Sequence, residues 1–184
     1  MNPVHEKTYT GSPERLRNPG RVQLLEIPLV LDHCLDDPSI RSVLDVGTGS
    51  GLFAEAFAKK GLEVRGIDMN PVMIQEAQKL VPLAFFKQGT MEKIPYAESS
   101  FDLAFYGLVL HETNDLDTVI QEAFRISRKR VAFLEWPYVG EENGPPLAHR
   151  LRADKIIEIL YQSGFKSADV IPLNQLVLII AKKS

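Results

Sequence analysis

Apolar positions along the chain change their spacing near Ser39. Before that point, "RVQLLEIPLVLDHCL" over residues 21–35 carries a dense apolar face at helical spacing, and Pro28 inside it predicts a kink. Residues 1–20 are polar and carry Pro3, Gly11, Pro13, Pro19 and Gly20, so a loop or flexible arm is expected there. Beyond Ser39, short apolar runs alternate with amphipathic ones. "SVLDVG", "EVRGID", "LAFFKQG", "FDLAFYG" and "RVAFLEW" read as buried strands. Between them, "SGLFAEAFAKKG" puts Leu52, Phe53, Ala56 and Phe57 on one helix face and ends at Gly61 as a C-terminal cap. Asn70 and Pro71 supply the N-cap and first position of a helix on which Met73, Ala77 and Leu80 recur. "DLDTVIQEAFRIS" turns Leu116, Val119, Ile120, Ala123 and Phe124 inward. After a Gly/Pro-rich loop come a helix, "ADKIIEILYQSG", and two last strands, "FKSADVI" and "QLVLIIA".

Strands separated by helices specify an α/β fold with a parallel sheet covered on both faces. The "PLN" between the last two strands is too short for a crossover helix, so these should pair as an antiparallel hairpin and leave one strand reversed. In such sheets a ligand lies outside the carboxyl ends of the strands, at the switch point of the strand order. A length of 184 residues with 45% hydrophobic residues suits a single domain: an arm at 1–20, a helix at 21–38 and a Rossmann-like core at 40–184. A formal net charge of -3 gives no broad attraction to nucleic acid or to an anionic membrane. The single cysteine, Cys34, cannot form an intrachain disulfide, and no apolar run approaches the roughly 18 residues of a membrane span. A cytoplasmic protein is expected.

The chemistry concentrates in "VLDVGTGSG", a turn with Gly47, Gly49 and Gly51 between the first strand and its helix. Missing side chains let a ligand touch the backbone, and a helix N-terminus favours an anionic group. The dinucleotide fingerprint G-x-G-x-x-G is not met, because Leu52 occupies the place of its third glycine. Asp45 would repel a pyrophosphate but attract an ammonium, so the α-carboxylate and α-ammonium of S-adenosyl-L-methionine suit the turn and Asp45 together. Asp68 ends the next strand, where a carboxylate can accept from both ribose hydroxyls. A helix-capping role remains open for both acids.

The ordered segments "VLDVGTGSG", "GIDMNPVMIQEAQ", "GTMEKIPYAESSFDLAF" and "RISRKRVAFLEW" resemble class I S-adenosylmethionine-dependent methyltransferases, particularly those similar to the ubiquinone and menaquinone biosynthesis enzymes. The resemblance implies a seven-stranded sheet with the seventh strand reversed, and methyl transfer that leaves S-adenosyl-L-homocysteine. It implies that Asp45, Gly47, Thr48, Gly49 and Gly51 contact the methionine part, Asp68 the ribose and Met69 the adenine. Where similar proteins often place an acid for the adenine amino group, this chain has Thr90, with the Met91 backbone beside it for a ring nitrogen. Tyr106, Gly107 and Leu108 are expected along the channel near the methyl group.

Methyl transfer from a sulfonium requires alignment above all, and a base only when the acceptor must lose a proton. His111 in "LVLHETND" is the candidate base, with a structural hydrogen-bonding histidine as the alternative. His149 is placed less favourably; His5 and His33 read as an arm and a helix position, and the four histidines show no metal-ligand spacing. Glu135 and Trp136 end the fifth strand and can either face the acceptor or serve as a capping acid and a packed ring. "PYVGEENGPPLAHRLR" should rim the pocket, with residues 1–20 closing over the cofactor. The acceptor is expected to be a small molecule. A non-catalytic S-adenosylmethionine-binding partner and a nicotinamide-dependent oxidoreductase are the competing readings.

Overall fold

The computed structural model describes Tyr9, residues 11–140 and residues 143–184. Seven strands form one sheet: β1 (Ser42–Val46), β2 (Glu63–Asp68), β3 (Phe85–Gln88), β4 (Phe101–Gly107), β5 (Ser127–Glu135), β6 (Ser167–Pro172) and β7 (Val177–Lys182). Their spatial order is β3-β2-β1-β4-β5-β7-β6. The pairs from β3 to β5 are parallel, and β7 runs antiparallel to both β5 and β6, as the short "PLN" connection requires. The chain leaves β1 toward β2 and β3, then returns to place β4 on the other side of β1. The switch point therefore lies between β1 and β4.

Helices α1 (Pro13–Leu16), α2 (Pro19–Leu24), α3 (Ile27–Cys34), α4 (Leu52–Lys59) and α5 (Pro71–Leu80) precede β3, and α6 (Leu116–Ile126) and α7 (Ala153–Gln162) follow β4. Strand alternation sorts the core into two layers. Val43, Phe105 and Leu178 pack with Val30, Phe53, Phe57 and Ile74 of α3, α4 and α5. Leu44, Tyr106 and Ile179 pack with Val119, Ile120, Ile156 and Leu160 of α6 and α7. The cap signals act as expected: Asn70 Oδ1 accepts from the Val72 amide at 2.9 Å, and Gly61, at φ +83°, follows the end of α4. Leu80 departs from expectation and is 41% exposed, while Ile74 and Val81 turn inward.

Two expectations at the N-terminus are corrected. Within the arm expected over residues 1–20, residues 13–16 form a helix and residues 19–20 begin another that runs to Leu24, each helix opening on a proline. The expected kinked helix over 21–35 is two helices, separated at Glu26, which sits in the left-handed region at φ +45°. A continuous helix would drive the Pro28 ring into the Leu24 carbonyl, so the chain ends α2 at Leu24 and restarts with Pro28 in the first turn of α3. No helix among the described residues is long and apolar enough to cross a membrane.

Phe105 lies at the centre of the first layer, fully buried, with the rings of Phe53 and Phe57 at 4.5 and 5.3 Å. Phe105→Ala is expected to cost about 3–5 kcal/mol in denaturant unfolding. Phe85→Ala, at a ring 64% exposed, should stay within about 1 kcal/mol of the parent.

Candidate functional site

β1 delivers the chain to the carboxyl edge of the sheet, where residues 47–51 turn it into α4. Gly47 takes φ +68°, and a Cβ there would come within 2.5 Å of Val109 Cγ2, so both conformation and space demand glycine. Gly51, at φ +77°, backs onto Val81 and Ala77, which a Cβ would meet at 3.0 and 3.2 Å. It serves helix packing and, unlike Gly47, Thr48 and Gly49, does not line the cleft that opens at this edge. The turn amides are largely engaged within the chain: Thr48 donates to the Ile67 carbonyl, Gly51 to the Thr48 carbonyl and Gly49 to Asp68 Oδ2, each at 2.9 Å. The turn thus offers bare backbone surface more than the row of free donors expected of it.

The cleft has a volume of about 740 Å³ and gathers Asp45, Gly47, Thr48, Gly49, Asp68, Met69, Thr90, Met91, Gly107, Leu108 and His111. Asp45 Oδ2 accepts from Thr48 Oγ1 at 2.6 Å and from the Ala54 amide at 3.1 Å. Burial pushes its carboxyl up to about 7 against the lowering effect of those two bonds, with the Asp68 charge adding to the rise. Asp68 accepts from the Gly49 amide through Oδ2 and from the Asn70 amide through Oδ1, both at 2.9 Å, and burial raises its pKa also. Asp45 Oδ2 is taken up by its two donors, which leaves Oδ1 for a ligand, and each Asp68 oxygen retains a second lone pair. Met69 is 39% exposed at the cleft wall, with its carbonyl accepting from Gln88 Nε2 at 3.0 Å.

Tyr106 is a correction. Strand alternation sends it to the opposite layer from Phe105, fully buried with its ring 4.9 Å from Phe133. It does not line the cleft, and its hydroxyl has no hydrogen-bond partner among the described residues. Burial raises the phenol pKa, keeping it neutral.

His111 stands in a short helical turn after β4, 8% exposed at the cleft wall. Its Nδ1 lies 2.8 Å from Glu135 Oε2, while Glu135 Oε1 accepts from its amide at 3.2 Å. Burial works to lower the His111 pKa, and the adjoining Glu135 carboxylate outweighs it, leaving the imidazole a stronger base than usual. Glu135 faces this histidine, while Trp136 reaches the cleft. His33 and His149 are not in the cleft wall, and His5 lies outside the described residues, as do residues 141–142 of the expected rim loop.

Tyr9, Leu16, Arg21 and Glu112 also line the cleft: the sequence placed residues 1–20 over the cofactor without singling out Tyr9 or Leu16, and it missed Arg21 and Glu112. Glu112 was findable as the neighbour of His111; burial pushes it up to about 7, and its Oε1 accepts from the Tyr9 amide at 3.2 Å. The other three arrive from the N-terminal segment. Arg17 anchors that segment with a 2.6 Å ion pair to Glu55 and a 2.9 Å bond to the Ser50 carbonyl. No local pattern announces such long-range contacts.

Residues 44–134 match the model of a methyltransferase domain family. A demethylmenaquinone methyltransferase of Chlorobaculum parvum is 36% identical over 85 residues, covering 46% of this chain and 35% of that protein. A malonyl-[acyl-carrier protein] O-methyltransferase of Erwinia billingiae is 30% identical over 87 residues, covering 47% and 35%. The matched segments span about a third of the length of these curated relatives. Among solved structures, a SAM-dependent methyltransferase from Aquifex aeolicus superposes with a TM-score of 0.81 at 20% identity, over 95% of this chain and 100% of that one. The magnesium protoporphyrin IX methyltransferase of Synechocystis PCC 6803 with bound SAH gives 0.74 at 17% identity, over 89% and 85%. These two share the fold.

The Asp45 carboxyl makes stability depend on pH. Its unfolded counterpart ionises near 3.8 while the native group holds its proton to about 7, so between these values the native state binds the extra proton. Native stability therefore falls as pH rises through that window. Asp45→Asn, which cannot ionise, should gain thermal stability relative to the parent as pH rises from 5 to 8. Melting curves across that range check this, and a constant difference would refute it.

Proposed function

We infer that the chain, whose residues 44–134 match a methyltransferase domain family, belongs to the class I S-adenosylmethionine-dependent methyltransferases and transfers a methyl group to a small-molecule acceptor in the cleft at the carboxyl edge of the sheet. The observation that carries this reading is the pair of carboxylates, Asp45 and Asp68, on adjacent strands beside a bare glycine turn. A cleft of about 740 Å³ suits a cofactor of this size. Two acids with no basic side chain on the turn suit an ammonium and a ribose diol better than a pyrophosphate.

In this reading Asp68 accepts from the ribose hydroxyls and Asp45 from the α-ammonium, with Gly47, Thr48 and Gly49 against the methionine part. Met69 packs on the adenine, and Thr90 with the Met91 backbone meets its polar edge. Bound S-adenosylmethionine supplies a methyl group on a sulfonium leaving centre, and S-adenosylhomocysteine is the by-product. The protein aligns the acceptor, an effect that reaches about 7–11 kcal/mol in favourable systems. Gly107 and Leu108 border the transfer path. His111 is the proton acceptor for acceptors that need one: Glu135 fixes Nδ1, which leaves Nε2 for the acceptor proton.

Calorimetric titration tests the cofactor. S-adenosylhomocysteine should bind the parent at micromolar concentration and NADH should not. Asp68→Ala should weaken S-adenosylhomocysteine at least tenfold, about 1.4 kcal/mol. His111→Gln should keep that affinity within about twofold, because its role concerns the acceptor. NADH binding, or indifference to Asp68→Ala, would overturn the assignment.

A further inference from the structure

A second cavity, of about 920 Å³, adjoins the cleft and shares Tyr9, Arg21, Trp136 and Gly144 with it. The shared residues lie on the β5 side of the cleft, since Trp136 directly follows β5. Asp68 and Met69 lie at the end of β2, and three inter-strand steps separate β2 from β5. At about 4.8 Å per step, β2 and β5 are about 14 Å apart. The second cavity therefore opens from the end remote from the proposed ribose site.

Its wall is polar and cationic. Arg15 and Arg21 both line it, and neither guanidinium forms a hydrogen bond or ion pair among the described residues. By contrast, Arg17, between them in sequence, is committed to Glu55 and Ser50. The carboxylate in the wall, Glu26, is engaged: it accepts from the Asn174 amide at 2.8 Å and from Asn174 Nδ2 at 2.7 Å. Arg21 is partly buried, and burial lowers its pKa against the raising influence of Tyr9 and Glu112. A partly buried guanidinium with the Glu112 carboxylate nearby but none in ion-pairing contact carries a desolvation penalty that a directly bonded anionic ligand would offset, and its planar fork matches carboxylate and phosphate oxygens.

We propose that this second cavity binds an anionic group of the methyl acceptor, a carboxylate or a phosphate paired with Arg21 and Arg15, while the atom to be methylated reaches past Trp136 into the cleft beside His111. The assignment of this anion to the acceptor rests on the methyltransferase reading; the anion site itself rests on the two arginines. It defines the acceptor class as small molecules with a negative group at one end and the nucleophile at the other. Arg21, lining both cavities, would hold the junction between them.

The test uses the whole chain, with and without saturating S-adenosylhomocysteine, and titrates benzoate, phenyl phosphate, inorganic phosphate and neutral benzamide at fixed ionic strength. The expected result is saturable binding of at least one of the anions, with benzamide at least tenfold weaker than benzoate. Arg21→Gln should weaken the bound anion at least tenfold while S-adenosylhomocysteine affinity stays within about twofold. Arg15→Gln, at an exposed position, should give a smaller loss in the same direction. Preference for benzoate identifies a carboxylate acceptor, and preference for either phosphate identifies a phosphate one. Equal binding of benzamide and benzoate, indifference to both substitutions, or displacement of the anion by S-adenosylhomocysteine would overturn the proposal. Failure of S-adenosylhomocysteine to bind is read separately, and it removes the assignment to a methyl acceptor.

Discussion

The carboxyl of Asp45, 2% exposed at the end of a central strand, is the constraint around which the site is arranged. A polar group at that depth must be hydrogen-bonded, and its partners come from the chain that immediately follows: the Thr48 hydroxyl and the Ala54 amide. Meeting both requires the turn to curl back over the strand end and α4 to begin at once. That curl holds Gly47 and Gly51 at positive φ, where side chains are strained, and brings Gly47 against Val109. It also carries the Gly49 amide to Asp68, so the geometry of β1's turn is locked to the end of β2. Disturbing Asp45 would therefore be felt at Asp68, although the two belong to different strands.

Sheet order then distributes chemistry along the edge. β1 lies between β2 and β4, so Asp68 stands on one side of the turn and Gly107, Leu108 and His111 on the other. β5 lies next to β4 and sends Glu135 up behind His111, which positions the ring without exposing the acid to the cleft. The N-terminal helices close the remaining side through Leu16 and the Arg17 anchor. Each side chain comes from a different connection, while the spacing between them is set by the rigid sheet. Loops can thus vary the β5 side of the cleft while the strand ends fix the side of Asp45 and Asp68.

Strands and helices of the core were legible because their periods differ and the caps are local: Asn70, Pro71 and Gly61 act within a few residues of themselves. The glycine turn and its two acids were legible for the same reason. Tyr106 was misplaced because a strand end offers two faces, and sequence position alone does not say which faces the ligand; the alternation fixed by Phe105 decides it. The His111–Glu135 pair joins residues 24 apart on neighbouring connections, and Arg21 meets the cleft only because α2 folds back across the sheet edge. Contacts of that separation are products of topology. The break at Glu26 lies between these cases, since Pro28 signals a disruption without saying whether the helix bends or restarts.

Electrostatics argues for the kind of ligand more firmly than shape does. Asp45, Asp68 and Glu112 share one cleft, and burial raises the pKa of all three, so each gains from a cation in their midst. A dinucleotide would bring two phosphates to a turn whose Thr48, Gly49 and Gly51 amides are already donating inside the protein. A cofactor carrying an ammonium and a sulfonium places positive charge where the acids concentrate it. Arg21 marks where this acidic field ends, with Arg15 beyond it and Glu26 already bonded to Asn174. A molecule that is neutral or positive at the reacting end and negative at the far end would follow that change of sign across the wall between the two cavities.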